Sequence, residues 1–138
     1  MNVIVTDTGF APDDWQAGFV PLDGLGGAVV LNAGLDLPAD TQAEDVIPLI
    51  AHAGLIRVHF ASFSDGRGFT LGRRLRRLGY GGRLRAHGHV LADQYTMARR
   101  SGFDEVEIST DLAARQPADQ WAFRADWRAH DYQARLRG

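Results

Sequence analysis

Short apolar runs recur at regular intervals along the chain and predict β-strands. Each run has the length of a strand and is flanked by turn-forming residues. The candidate strands lie at residues 27–31, 55–60, 83–87 and 106–108. Because segments with helical spacing separate these runs, the pattern predicts successive βα units in an α/β fold with a mostly parallel sheet of about four strands.

Apolar residues at helical spacing lie between the predicted strands. The first set is Leu71, Leu75 and Leu78, and the second is Leu91, Tyr95 and Ala98. Gly79 follows the first set and Gly102 the second, as glycines commonly do at the ends of helices. Two helices that end at these glycines are therefore predicted.

Two further helix starts are indicated by capping signals. Residues 41–44 have the form of a capping box, but Pro48 is tolerated only in a first turn, so we predict that this helix begins at Asp45. Farther along, Pro117 opens a segment that carries Trp121 and Ala125.

Polar residues alternate with apolar ones in three of the predicted strands. They are Arg57 and His59, then Arg83, Arg85 and His87, then Glu105, Glu107 and Ser109. If the strands at 55–60 and 83–87 pair, His59 and His87 lie close together. Because parallel strands covered on both faces are apolar throughout, the alternation predicts helices mainly on one face of the sheet, as in part of a (β/α) barrel. The alternative is a doubly wound open sheet. The polar face would be a substrate surface, a subunit interface or a lattice of ion pairs.

The 138 residues are expected to form a single domain. Within it we expect an N-terminal cap at 1–26, the βα core at 27–111, and a C-terminal helix and tail at 112–138. No apolar run is long enough to span a membrane, and the amino end lacks the charge and apolar core of a signal peptide. These features predict a cytoplasmic protein that does not contact membranes.

Composition excludes several kinds of chemistry. The chain has no cysteine, which excludes thiolate catalysis, iron–sulfur ligation by the chain and cysteine zinc sites. It also has no lysine, so all fifteen basic residues are arginine, and Schiff-base chemistry and a P-loop lysine are excluded. No glycine-rich nucleotide fingerprint follows a strand, so the sequence supports no cofactor.

Charge is strongly segregated along the chain. Residues 1–50 carry eight acids and no base, whereas residues 51–100 carry ten arginines and two acids. The segregation indicates either a basic surface for an anionic partner or segments that neutralise each other in the fold. Since no basic run is interleaved with aromatic residues, nucleic acid is not expected as a partner.

A glycine-containing loop is predicted at the carboxyl end of the strand at 55–60, where parallel sheets bind ligands. Gly66 and Gly68 relax its backbone, and Arg67 offers a planar fork to an anion. Asp65 is a candidate acid or base. The same residues also suit an ordinary capping turn.

The next loop, after the strand at 83–87, carries His87, His89 and Asp93 as candidate acid–base residues, with Gln94 beside them. Gln94 and the strand residue Arg85 join Arg67, Gly66 and Gly68 as anion-binding candidates. No metal is predicted, because the two histidines and the aspartate lack the spacing of a metal motif.

Four arginines lie on one side of the predicted helix that carries Leu71. They are Arg73, Arg74, Arg76 and Arg77. At 100° per residue they lie away from the leucines, so they are expected to face solvent or another segment, and a solvated face or partner contact is favoured over catalysis.

Several of these motifs together resemble a bacterial family of unknown function, number nine-three-four in its series. They are the stretch at 60–71 with Asp-Gly-Arg-Gly-Phe, the Asp-Gln pair at 93–94, and residues 100–104. Members are described as oxidoreductases of sulfite reduction. The resemblance implies assimilatory sulfur metabolism, because such proteins are typically encoded beside a sulfite reductase. Where relatives often have cysteine and aspartate, this chain has Ser101 and His89.

The sequence leaves two functions open, and leaves open whether the protein is an enzyme. The first is a non-catalytic accessory that docks on sulfite reductase or on a second copy of the chain. The alternative is a protein that binds or transforms a small oxyanion or a sulfonucleotide at the carboxyl ends of the parallel strands. The absence of a redox side chain favours the accessory role.

Overall fold

A computed structural model describes residues 2–21 and 33–125. They form a mixed α/β fold with one seven-stranded, mostly parallel sheet and several short helices. The predicted α/β class and mostly parallel sheet are confirmed. The predicted strand at 27–31 lies outside the described residues.

The sheet has the order β2-β1-β7-β6-β5-β4-β3. The strands are β1 (Asn2–Thr6), β2 (Gly9–Pro12), β3 (Phe19–Pro21), β4 (Gly34–Pro38), β5 (Leu55–Phe60), β6 (Arg83–Gly88) and β7 (Glu105–Ser109). Strands β3 to β7 pair in parallel, whereas β1 is antiparallel to both β7 and β2. The sheet exceeds the expected four strands because residues 2–21 add three strands to it instead of only capping it.

Short helices connect the strands. They are a 3₁₀ helix at Ala43–Leu49, α1 (Arg67–Arg77), a 3₁₀ turn at Ala92–Gln94 that leads into α2 (Tyr95–Arg100), α3 (Thr110–Arg115) and α4 (Ala118–Ala122). Gly79 and Gly102 follow α1 and α2 with φ of 104° and 102°, as the sequence predicted. Within residues 2–21 and 33–125, no helix is long and apolar enough to cross a membrane.

The predicted capping box at residues 41–44 is wrong. The Thr41 hydroxyl donates to the Pro38 carbonyl instead, so it closes a turn at the end of β4. The segment that follows begins at Ala43 with no side-chain cap, and it is a 3₁₀ helix rather than an α-helix from Asp45. This short 3₁₀ segment accommodates Pro48, which has no N–H to donate.

One face of the sheet forms the hydrophobic core. The strand register places Leu35, Ile56, Leu84 and Val5 in a single buried cluster with helical side chains. The helical members include Leu71, Leu75, Tyr95 and Trp121. Helix α1 approaches β5 closely, because a Cβ on Gly68 would lie 2.3 Å from the Phe60 ring.

The strand directions bring four loops to one edge of the sheet. Strands β4 to β7 run parallel, so their carboxyl ends lie together. Because β1 is antiparallel to β7, its first residue, Asn2, pairs with Ser109 at this same edge. The chain's amino end therefore contributes a side chain to the region where the sequence predicts ligand binding.

Candidate functional site

The polar positions of the strands lie in rows across the sheet. Asp36, Arg57, Arg85 and Glu105 are aligned in one row, and His59, His87 and Glu107 are aligned in the next. Since side chains alternate along a strand, both rows lie on the face opposite the core. We call these seven residues, with Asp13, Asp14 and Arg83, the ion-pair network.

Arg85 is the centre of the ion-pair network and is fully buried. Its Nε donates to Glu105 at 2.6 Å, Nη1 donates to Glu107 at 2.9 Å, and Nη2 donates to Asp13 at 3.1 Å. All three guanidinium nitrogens therefore donate hydrogen bonds to carboxylates of the protein itself. Arg85, an anion-binding candidate from the sequence, is held in the interior of the fold as a counter-ion.

Arg57 joins the two rows of the ion-pair network. Its Nη2 donates to Asp36 and its Nη1 to Glu107, both at 3.0 Å, and the Phe19 ring centroid lies 3.7 Å from its Cζ. Burial raises the pKa of Glu107, but the hydrogen bond from Asn2 and the nearby positive charges outweigh it, so the pKa of Glu107 falls below its ordinary value. The centre of the polar face is thus a buried lattice of ion pairs.

Two histidines extend the network toward the carboxyl ends of the strands. As the sequence predicted for paired strands, His59 and His87 are adjacent, with His59 Nε2 3.3 Å from His87 Nδ1. Asp36 accepts from His59 Nε2, and Glu107 lies 3.3 Å from His87 Nε2. The Asn2 side-chain NH₂ group, which can only donate, also lies 3.3 Å from His87 Nε2, so these contacts do not define a single tautomer of His87. Burial lowers the pKa of His87 to about 4, so this ring is neutral at pH 7.

A cleft of about 250 Å³ opens beside His87 at the carboxyl edge of the sheet. Its lining residues are Asn2, Phe63, His87, Gly88, His89, Ser109, Leu112 and Arg115. We call it the histidine cleft. It combines the first residue of β1, the loops after β5 and β6, and helix α3 after β7.

Three polar groups of the histidine cleft have free bonding capacity. His89 Nδ1 lies 3.2 Å from the Phe60 carbonyl, which can only accept, so Nδ1 carries the proton and Nε2 keeps a lone pair. Ser109 Oγ accepts from the Leu112 N–H, which leaves its hydroxyl proton to donate. Among the described carboxylates, none pairs with Arg115. The cleft thus offers a cation, a hydroxyl donor and a basic nitrogen.

The loop after β5 holds an internal ion pair. Arg67 Nε donates to Asp65 Oδ1 at 2.9 Å, and the Ala61 N–H donates to the same carboxylate. The hydrogen bond from Arg67 is the main cause that lowers the pKa of Asp65, while burial opposes it. Asp65 therefore orients Arg67, whose side chain stays 64% exposed.

The two glycines of this loop have different surroundings. A Cβ on Gly68 would collide with the Phe60 ring, whereas a Cβ on Gly66 would meet no atom within 4 Å. Gly68 is thus required for the packing of α1 on β5. The contact with Phe60 is a sufficient reason for glycine at this position, so the residue does not by itself indicate a ligand site.

Gln94 and Asp93 have separate roles. Gln94 donates from Nε2 to the Phe63 carbonyl and accepts from the Leu91 N–H, both at 2.8 Å, so it ties together two loops that line the histidine cleft. The Asp93 side chain is 82% exposed, pairs with Arg124, and does not line this cleft. In the described ranges, no group of three histidine, aspartate or glutamate residues could hold a metal ion.

The four arginines of α1 that the sequence places away from the leucines divide into one half-buried clamp and three exposed side chains. Arg76 donates to the carbonyls of Tyr80, Gly82 and Gly102 and to Asp104, so it faces another segment of the chain, one of the two expected environments. It ties the end of α1 to the loops before β6 and β7. The exposed side chains are those of Arg73, Arg74 and Arg77.

A second cleft, of about 290 Å³, lies beside α1. Arg67 and Arg74 line it together with Asp40, Thr41 and Gln42. Asp40 places a negative charge among its two cations. The lining of the histidine cleft, in contrast, contains no carboxylate.

Sequence reasoning missed three residues of the histidine cleft. Asn2 and Ser109 are neighbours only through the antiparallel pairing of β1 with β7, which no local pattern predicts. Arg115 lies at the end of α3, and the start of this helix could have been predicted from the sequence. Ser109-Thr110-Asp111 is a typical helix start, and Ser109 caps α3.

Comparison with known proteins gives one result. A family model described as a bacterial protein of unknown function (DUF934) matches residues 34–138, which include every described residue of the histidine cleft except Asn2. No curated protein and no solved structure matches the chain.

Proposed function

The chain belongs to the bacterial family of unknown function DUF934, and we propose that it binds a small oxyanion in the histidine cleft. The resemblance to proteins of sulfite reduction supports sulfite or a related anion as the ligand. In this proposal the protein serves assimilatory sulfur metabolism without a redox group of its own.

The observation that carries the proposal is Arg115, a cation without a carboxylate partner in the described residues, on a cleft lined by no acid. A guanidinium binds an oxyanion through paired N–H donors. The Ser109 hydroxyl adds a donor. Arg85 is omitted from the site because its nitrogens already bind Glu105, Glu107 and Asp13.

Isothermal titration calorimetry of the full chain with sulfite, sulfate and phosphate tests the proposal. We expect saturable binding of at least one of these anions. Arg115→Ala should weaken it roughly tenfold or more, since charge-assisted hydrogen bonds contribute about 1.5–3 kcal/mol. Arg77→Ala, which removes an equal charge from exposed α1, is the control and should bind like the wild type. No heat with any of the three anions would refute the proposal.

A second candidate function is docking on sulfite reductase. Its support is the exposed face of α1, where Arg73, Arg74 and Arg77 have no carboxylate partner among the described residues. This proposal assumes that the helices cover mainly one face of the sheet, as in a partial barrel. The outer side of α1 is then accessible to an acidic surface on the reductase. Contacts between exposed charges weaken as salt screens them.

Co-purification of the tagged chain with sulfite reductase at low and high ionic strength tests the docking. We expect retention at low salt, loss at high salt, and loss at both in the triple variant Arg73→Ala, Arg74→Ala and Arg77→Ala. Failure of the wild type to retain the reductase at low salt would count against this function. Self-association of the chain at low salt would assign the face to a second copy instead.

A further inference from the structure

The histidine cleft carries a proton acceptor as well as donors, and this combination selects among oxyanions. His89 Nδ1 is committed to the Phe60 carbonyl at 3.2 Å. In the neutral ring Nε2 can therefore only accept a hydrogen bond. The edge of the Phe63 ring, with its centroid 5.1 Å from that of His89, packs against the imidazole.

A ligand in this cleft must match both kinds of group. Arg115 and the Ser109 hydroxyl require oxygen atoms that accept, whereas His89 Nε2 requires an O–H that donates. An oxyanion that has lost all its protons offers only acceptors. Its oxygen would face the lone pair of Nε2, and that contact is unfavourable unless the ring first takes up a proton.

We propose that the histidine cleft selects oxyanions that retain a proton, such as hydrogen sulfite or hydrogen phosphate, over sulfate, and that His89 is the residue that determines this preference. The inference rests on the proposed oxyanion function and names its ligand class. It assigns His89 a role in specificity, while Arg115 supplies the charge.

Two other titratable or charged side chains line the cleft, and neither replaces His89 as an acceptor. His87 Nε2 lies 3.3 Å from both the Asn2 amide and Glu107, and His87 Nδ1 lies against His59 Nε2, so both ring nitrogens already contact groups of the fold. Arg115 has donors only. The free lone pair of His89 is thus the feature that distinguishes a protonated from a fully ionised ligand.

Calorimetry of the full chain at pH 8 with inorganic phosphate, sulfate and sulfite, each in two buffers of different ionisation heat, tests the inference. Phosphate retains a proton at this pH and should bind roughly two- to tenfold more tightly than sulfate, the contribution of one additional hydrogen bond to the exposed His89 ring. If sulfate binds, its binding should be accompanied by the uptake of about one proton, whereas phosphate binding should not. Proton uptake is detected as a binding heat that differs between the two buffers. Sulfite is mostly fully ionised at this pH, so its binding should likewise take up about one proton.

His89→Gln separates the role in specificity from a structural one. A glutamine amide presents either its oxygen or its NH₂ group, so the variant should bind sulfate and phosphate alike and lose the buffer-dependent heat. His52→Gln, at an exposed histidine outside the cleft, should keep the preference. Equal affinity of the wild type for sulfate and phosphate, without proton uptake, would overturn the inference and leave the oxyanion function standing. Absence of binding by all three anions would overturn both.

Discussion

The ion-pair network and the histidine cleft both contain arginine and histidine, but only the network contains carboxylates, and the arginines of the two regions have different partners. In the network, Arg85 is fully buried and each guanidinium nitrogen binds a carboxylate of the chain. In the cleft, Arg115 is exposed and no described carboxylate pairs with it. The difference shows that an arginine's residual bonding capacity, rather than its presence on a polar strand face, marks a candidate ligand site.

The largest expected effect comes from breaking the network at its centre. Arg85→Met removes the cation that buried Glu105 and Glu107 share. Because Arg83 and Arg57 still pair with these carboxylates, the loss should lie at the lower end of the typical range, about 3 kcal/mol of unfolding free energy. Urea denaturation measures the loss. Arg77→Met, at an exposed arginine, is the matched control and should stay within about 0.5 kcal/mol of the wild type. A loss below about 1 kcal/mol for Arg85→Met would show that the network does not hold the fold together.

The second effect is a loss of stability in acid. The pKa of His87 falls from 6.5 in the unfolded chain to about 4 in the folded protein, mainly because of burial. Between these values the unfolded chain binds more protons, so stability is complete above pH 6.5 and declines as the pH falls toward 4. The full decline is about 3 kcal/mol. The lowered pKa values of Glu107 and Asp36 add losses that begin as the pH falls to about their ordinary values of 4.5 and 3.8.

Unfolding free energies measured by urea titration in steps from pH 7 to pH 4.5 check this prediction. His87→Gln, which retains an N–H donor near Glu107, should lack most of the decline. His52→Gln should retain it, because His52 is exposed. An equal decline in all three proteins would show that His87 is not its source.

A smaller effect on stability is expected to distinguish Gly66 from Gly68, the two loop glycines that the sequence analysis gave as anion-binding candidates. Gly68→Ala places a Cβ 2.3 Å from the buried Phe60 ring and should cost about 1–3 kcal/mol through overpacking. Gly66→Ala meets no atom within 4 Å and should change stability much less. Thermal unfolding of the two variants makes the comparison, and equal melting temperatures would contradict the packing role of Gly68.

The smallest effect is stabilising. Ser101 Oγ is the buried side-chain oxygen for which the described residues provide no hydrogen-bond partner. Ser101→Ala removes this unsatisfied group and should raise the unfolding free energy by about 1 kcal/mol. Thr70→Ala, at an exposed position of α1, controls for loss of a hydroxyl group. A destabilised Ser101→Ala protein would show that the hydroxyl has a partner in solution.

Local pattern predicted much of the fold. Alternation placed β5, β6 and β7 and the two helices between them, because half-buried strands and amphipathic helices have different periods. The pattern missed β4, whose five residues contain an aspartate and end at Pro38. It also missed the position of β1 inside the sheet, since antiparallel pairing with β7 joins residues about a hundred positions apart.

The site was less predictable for the same reason. The adjacency of His59 and His87 followed from strand pairing alone and is confirmed. The role of Arg85 did not follow, because Asp13, one of its partners, comes from the loop after β2. The chain's segregated charge reflects such pairing: the acidic first third supplies counter-ions to arginines of β5 and β6.

The central claim is that ligand binding occurs at the histidine cleft and not at the other arginines. A titration of ¹⁵N-labelled protein with inorganic phosphate, followed by amide chemical shifts, tests it most directly. We predict saturable shifts that are largest at Gly88, His89, Ser109 and Arg115. Shifts centred on Arg67, Thr70 and Arg74 of the α1 cleft, or no saturable shift at all, would contradict the claim.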